Sequence, residues 1–193
     1  MPSLAVTPLS ALRLSTHLIP SHALLPNTTP HGHGLLIYRG AFPPNTCPSA
    51  LEAHVAGNGF APQWRYTMYS TTHYHSTTHE FLCVFAGRAR LLFGGEANPG
   101  KLEAEVRAGD AVLVPAGVGH RLVEDVDGGF TMVGSYPEGC SWDMCYGRKG
   151  EEEKTEAAGK VAWVKSDPLY GEDGPAVWDK ERLDRFCGEK RGL

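Results

Sequence analysis

The amino-acid sequence predicts an all-β domain, a barrel or sandwich of short strands, and three observations point there. Between Trp64 and Tyr136, short apolar runs follow one another at regular intervals. Glycine or proline punctuates nearly every gap between them. Across 193 residues, Gly 23 and Pro 14 together exceed average usage, which favours many turns over a helical bundle. The length suits one domain with a sizeable core, and neither an internal repeat nor a second core is visible.

Residues 1–33 carry Pro2, Pro8, Pro20, Pro26 and Pro30 and little periodicity, so they read as an irregular arm with room for one short strand. Gly34 to Arg39 reads as a strand closed by the turn-rich AFPPNTCP. Pro48 to Ala56 has a helical start and apolar spacing, stopped by Gly57 and Gly59. Phe81 to Ala86 and Ala89 to Phe93 are apolar runs parted by Gly87-Arg88, which reads as a hairpin turn. Gly94, Gly95, Asn98, Pro99 and Gly100 mark a longer loop, and Leu102 to Arg107 alternates with period two. Ala111 to Pro115 is an apolar strand; the turn Gly117 to Gly119 follows, and His120 to Glu124 and Phe130 to Tyr136 complete the set. Lys149 to Lys160 is expected to be a solvated loop or exposed helical turn, DPLYGEDGP is turn chemistry, and Trp178 to Cys187 reads as a terminal helix stopped by Gly188. The expected organisation is an arm over 1–33, a barrel over 34–148 and a C-terminal extension packed on it over 149–193.

Lys+Arg 18 against Asp+Glu 22 leaves a net charge of −4 with no basic run, which argues against a nucleic-acid partner. No stretch approaches the roughly 18–20 apolar residues of a membrane span, and the first thirty residues lack the pattern of a secretory signal. Cys47, Cys83, Cys140, Cys145 and Cys187 are odd in number and scattered, so they read as reduced thiols of a cytoplasmic protein. Cys140 and Cys145 alone make a poor zinc site.

The chemistry concentrates in His73-Tyr-His-Ser-Thr-Thr-His-Glu80. His73 and His75 are two apart, so on a strand both imidazoles project from one face. Four residues then separate His75 from Glu80, enough for a bend that returns a carboxylate toward them. Downstream, the strand ending at Pro115 runs into a Gly117 turn that aims His120 back into the barrel. Three neutral imidazoles and one carboxylate suit Fe(II), Mn(II), Ni(II), Co(II) or Zn(II), and leave positions open for water, dioxygen or a chelating substrate. A lone His-x-His is a weak signal; the two segments together specify H, H, E, G and then G, P, G, H at set offsets.

His73-x-His75-x4-Glu80-x6-Gly87 resembles the first cupin motif, and Gly109-x5-Pro115-x-Gly117-x2-His120 resembles the second. The resemblance implies a single-domain jelly-roll β-barrel with a few short helices, holding one divalent metal through His73, His75, Glu80 and His120. Two positions depart from the family pattern: Thr67 stands where glycine is usual, and Glu124 where asparagine is usual, which places an extra carboxylate near the inner face. HYHSTTHE, GGEANPG, GDAVLVPAGVGHRL and DPLYGEDGP further resemble the YjlB-like cupins of bacteria and fungi. Within that group, the chain is similar to cupin-domain oxidoreductases of fungal polyketide clusters, which implies a role in secondary metabolism. Cupins commonly dimerise, and an arm with little core of its own is suited to docking on a second copy.

Strand parity assigns the neighbours. His79 should face away from the metal; Arg65 and Tyr69 share the parity of His73 and should line the pocket; Leu82 and Val84 should form its apolar wall. The function expected is that of a metal-dependent oxidoreductase acting on a small oxygenated or aromatic organic molecule. No G-x-G-x-x-G follows a strand, so no nucleotide cofactor is expected. The alternatives are a non-redox isomerase, lyase or dehydratase, with Tyr69, Glu124 and His79 as catalytic candidates, and a non-catalytic cupin that binds a ligand or metal.

Overall fold

Runs that are apolar at every position need cover on both faces, and FLCVF and AVLV are such runs. In the computed structural model of the protein, which describes residues 4–27 and 32–189, they lie at the centre of a six-stranded antiparallel sheet. Its order is β1 (Arg13–His17), β2 (Leu35–Arg39), β7 (Ala111–Val114), β4 (Glu80–Ala86), β9 (Thr131–Pro137) and β3 (Phe60–Tyr66). A second sheet of three strands has the order β6 (Leu102–Arg107), β5 (Arg88–Phe93) and β8 (His120–Asp125). β6 alternates buried and exposed residues, as a strand covered on one face must.

Leu82 and Val84 of β4 meet Leu91 and Phe93 of β5 and Val106 of β6 in one buried cluster between the sheets. Phe81 and Cys83, of opposite parity, join a second cluster with Leu51 and Val55 of helix α1 (Pro48–Gly57). Cys187 of helix α3 (Lys180–Glu189) and Leu169 and Ala176 of the C-terminal segment close over the same face. Each fully buried Leu or Phe here contributes about 1.5–3 kcal/mol. Helix α2 (Glu152–Ala158) occupies the charged segment and buries Ala158. No helix among the described residues is long and apolar enough to cross a membrane.

Three local expectations are corrected. Gly87-Arg88 is a corner between sheets and not a hairpin turn: β4 pairs with β7 and β9, whereas β5 pairs with β6 and β8. Gly87 has φ +72°, and a Cβ there would stand 2.8 Å from the Cα of Phe130, so both conformation and space require glycine. β3 begins at Phe60, four residues before the apolar pattern suggests; Pro62 hides it, and is tolerated because β3 is an edge strand with a register shift between Pro62 and Trp64. Helix α3 continues through Gly188 to Glu189 instead of stopping there.

Candidate metal centre

An antiparallel bridge joins His73 to His120: each donates its backbone N–H to the other's carbonyl, at 3.2 and 2.8 Å. Residues so paired present their side chains on one face, and the two imidazole rings stand 4.3 Å apart between centroids. Gly117 N–H donates to the His75 carbonyl at 2.9 Å, tying the Pro115-to-Gly119 turn to the same segment. Asn27 pins that turn from the arm, accepting from Gly119 N–H at 3.0 Å and donating to the carbonyls of Pro20 and Gly94, each at 3.1 Å. Glu80 opens β4, next to β7 and β9.

These constraints bring His73, His75 and His120 together, with one ligating atom from each within 4.8 Å of the others and all three residues buried. Glu80 closes one side, its Oε1 3.2 Å from His75 Nε2 and its Oε2 3.2 Å from His120 Nε2. The tautomers follow from the other ring nitrogens. Nδ1 of His73 faces the Thr71 carbonyl at 3.0 Å, that of His75 the Asp143 carbonyl at 2.5 Å, and that of His120 the Val118 carbonyl at 2.9 Å. A carbonyl only accepts, so each Nδ1 carries the proton and each neutral ring turns a bare Nε2 lone pair inward.

Three lone pairs and a carboxylate then face one another, and only added protons or a cation can sit among them. Burial, with His120 alongside, pushes His73 down to about 3, so that ring stays neutral. For His75, burial would lower the pKa, but Glu80 outweighs it and the net direction is up. For Glu80, burial would raise it, but His75 and His120 hold it well below the usual carboxylate range. A buried carboxylate beside bare imidazole nitrogens is a donor set that fits one divalent transition ion, and His73, His75, His120 and Glu80 are the residues that would hold it.

The cluster forms the floor of a cavity of about 260 Å³. Leu82, Met68, Met132 and Met144 make apolar walls, and Trp64, Tyr136 and Trp142 stand among them. Tyr69, 52% exposed, lies at the mouth with its ring edge-on to His73 at 5.6 Å. Arg65 reaches the rim, but Glu52 clamps its guanidinium at 2.6 and 2.7 Å and Ser49 accepts from it at 2.9 Å. That charge is therefore already matched by Glu52.

Three further expectations change. Val84 lies in the inter-sheet core and does not line the cavity, because two residues advance a strand by about 7 Å beyond Leu82. Glu124 is 50% exposed and pairs with Arg90 at 2.7 Å on the outer surface. Leu122 stands opposite Leu91 but Glu124 opposite Arg90, so Val123 is an extra residue; the bulge inverts the alternation and turns Glu124 outward. His79 faces away from the cluster, as parity requires, and so leaves the set of catalytic candidates. Its Nδ1 accepts from Ala116 N–H at 2.9 Å, its Nε2–H donates to the Ala162 carbonyl at 3.0 Å, and burial pushes its pKa down to about 4. Substituting His79→Leu is expected to lower stability by about 1–3 kcal/mol, through the orphaned Ala116 N–H, while leaving metal content unchanged. Metal loss in that variant, measured by elemental analysis, would refute the outward placement.

Sequence reasoning missed Tyr136, Trp142 and Asp143. Continuing the pairing of Phe81 with Ser135 by one step sets Tyr136 opposite Glu80, but that register is nonlocal and leaves no mark in the sequence. Trp142 and Asp143 sit in the irregular segment after β9, where no periodicity assigns a face. Asp143 is held by Ser76 N–H and Oγ–H, both at 2.7 Å, and by Lys154 at 3.1 Å, so its carbonyl is fixed against His75.

The cupin domain family matches residues 67–133, from the cavity wall to β9. The uncharacterized protein YjlB of Bacillus subtilis (strain 168) is 32% identical over 168 residues, covering 86% of this chain and 96% of that protein. The structure of oxalate decarboxylase from Bacillus subtilis at pH 4.6 aligns at 15% identity and TM-score 0.34, over 58% of this chain and 22% of that one. Another structure of that enzyme, concerned with its Mn(II) centers, aligns at 15% identity and TM-score 0.34, over 58% and 23%. This chain thus spans under a quarter of the decarboxylase's length. With the domain match spanning the segments that carry the histidines, and YjlB related along nearly its full length, this protein belongs to the cupin family.

Proposed function

We propose that this protein is a metal-dependent oxidoreductase acting on a small oxygenated or aromatic organic molecule. The observation that carries this reading is the placement of three inward Nε2 lone pairs and Glu80 at the floor of a cavity walled by aromatic rings and methionines. When bound, a divalent ion supplies Lewis acidity and, for iron or manganese, a one-electron couple. The protein's own part is to exclude water and orient the substrate. Trp64 and Trp142 offer flat apolar faces to a ring, and Met68, Met132 and Met144 adapt to its outline. Low dielectric around the floor strengthens every electrostatic contact made there. The non-redox alternative loses two of its three acid–base candidates, since His79 and Glu124 lie outside the cavity and only Tyr69 remains at it.

Elemental analysis of protein purified without added metal tests the proposal. Near-stoichiometric iron, manganese or copper, with oxygen uptake on aromatic substrates, is the expected result. Zinc or nickel with turnover of an isomerase or lyase kind would move the assignment to the non-redox class. No metal, even after reconstitution, would overturn the enzyme reading.

A further inference from the structure

Glycine in the interior of a central strand weakens it, because it brings no side chain to pack. Gly134 occupies such a place in β9, between β4 and β3, opposite Leu82 on one side and Trp64 on the other. Its backbone is not in the left-handed region, so conformation does not demand glycine there; space does. A Cβ at Gly134 would lie 2.0 Å from Cε2 and Cζ2 of Trp64. The indole therefore lies against bare backbone and reaches along β9 to Tyr136.

There the hydrogen bonds run in one direction. An indole N–H only donates, and Trp64 Nε1–H meets the Tyr136 hydroxyl oxygen at 2.8 Å. A carboxylate only accepts, and the Tyr136 O–H meets Glu80 Oε1 at 2.6 Å. Tyr136 and Glu80 are both buried. Oε1 also lies 3.2 Å from His75 Nε2, whereas Oε2 receives no hydrogen bond from Tyr136 and lies 3.2 Å from His120 Nε2.

We propose that Gly134, Trp64 and Tyr136 form a positioning relay that engages Glu80 through Oε1 and leaves Oε2 as the carboxylate oxygen presented to a bound cation. The relay rests on the reading that the His–Glu cluster holds metal.

Cobalt(II) is the probe, with the full-length protein, its Tyr136→Phe variant, and Trp64→Phe and Gly134→Ala as upstream breaks in the same relay. Circular dichroism checks that each variant folds, visible absorption reads the coordination of the cobalt, and chelator competition gives Kd. Tyr136→Phe is expected to weaken cobalt binding about 10-fold or more. It should also change the cobalt spectrum as Glu80 engages with both oxygens. Trp64→Phe and Gly134→Ala should shift the spectrum in the same direction by less. A Tyr136→Phe protein with the parent's spectrum and Kd would overturn the relay. If Tyr136→Phe does not fold, unchanged spectra in both upstream variants would overturn it equally. Failure of the parent protein to bind cobalt would instead bring down the metal reading, and the relay with it.

Discussion

His75→Ala and His120→Ala are each expected to weaken metal binding by more than about 100-fold, since even partners that only orient a ligand cost 10–100-fold when removed. Each substitution deletes an inward Nε2 donor and also removes one of the two nitrogens that flank Glu80 at 3.2 Å. The carboxylate is then left buried with a single cationic or metal-linked neighbour, an arrangement that favours its protonation and further weakens the site. Elemental analysis after dialysis, with chelator competition for Kd, checks this. Full occupancy in either variant would show that the ligands lie elsewhere.

Asp167→Ala is the substitution with the largest expected effect on stability. The carboxylate is fully buried and accepts four hydrogen bonds: from the Tyr38 hydroxyl at 2.7 Å and from the backbone N–H groups of Leu169, Tyr170 and Ala176 at 2.9, 3.0 and 2.9 Å. It thereby folds the DPLYGEDGP segment on itself and fastens it to β2 of the six-stranded sheet. A Cβ at Gly174 would lie 2.2 Å from the Asp167 Cβ, so the glycine of that motif serves close approach. Removing the carboxylate orphans four buried donors at about 1–3 kcal/mol each, and even with partial relaxation the loss should be on the order of 4 kcal/mol. In a protein of this size that lowers Tm by roughly 10 °C. Thermal and urea unfolding measure it, and a loss below about 1 kcal/mol would show that water or a local rearrangement replaces the clamp.

The two halves of the cupin signature, His73 to Gly87 and Gly109 to His120, were legible because each depends on short-range geometry. Two residues along an extended segment keep His73 and His75 on one face, and a turn of fixed length returns His120. The continuous apolar runs at β4 and β7 likewise announced strands covered on both faces. Glycine at 87 was correctly seen as a break, but whether the chain reverses or crosses to another sheet depends on partners far away in sequence.

What the sequence by itself determined is therefore the fold class, the run of strands from β4 to β9 and the choice of His73, His75, Glu80 and His120 as candidate ligands, all of which follow from local period and spacing. The tertiary structure alone decided which face of each segment looks inward. One extra residue at Val123 inverts the alternation and turns Glu124 to solvent. The pairing of β4 with β9 brings Tyr136 to Glu80, and the C-terminal segment supplies the Ala162 carbonyl that His79 needs once it is buried. Alternation defines two faces but does not label them; the labels come from long-range pairing and from what packs on each side.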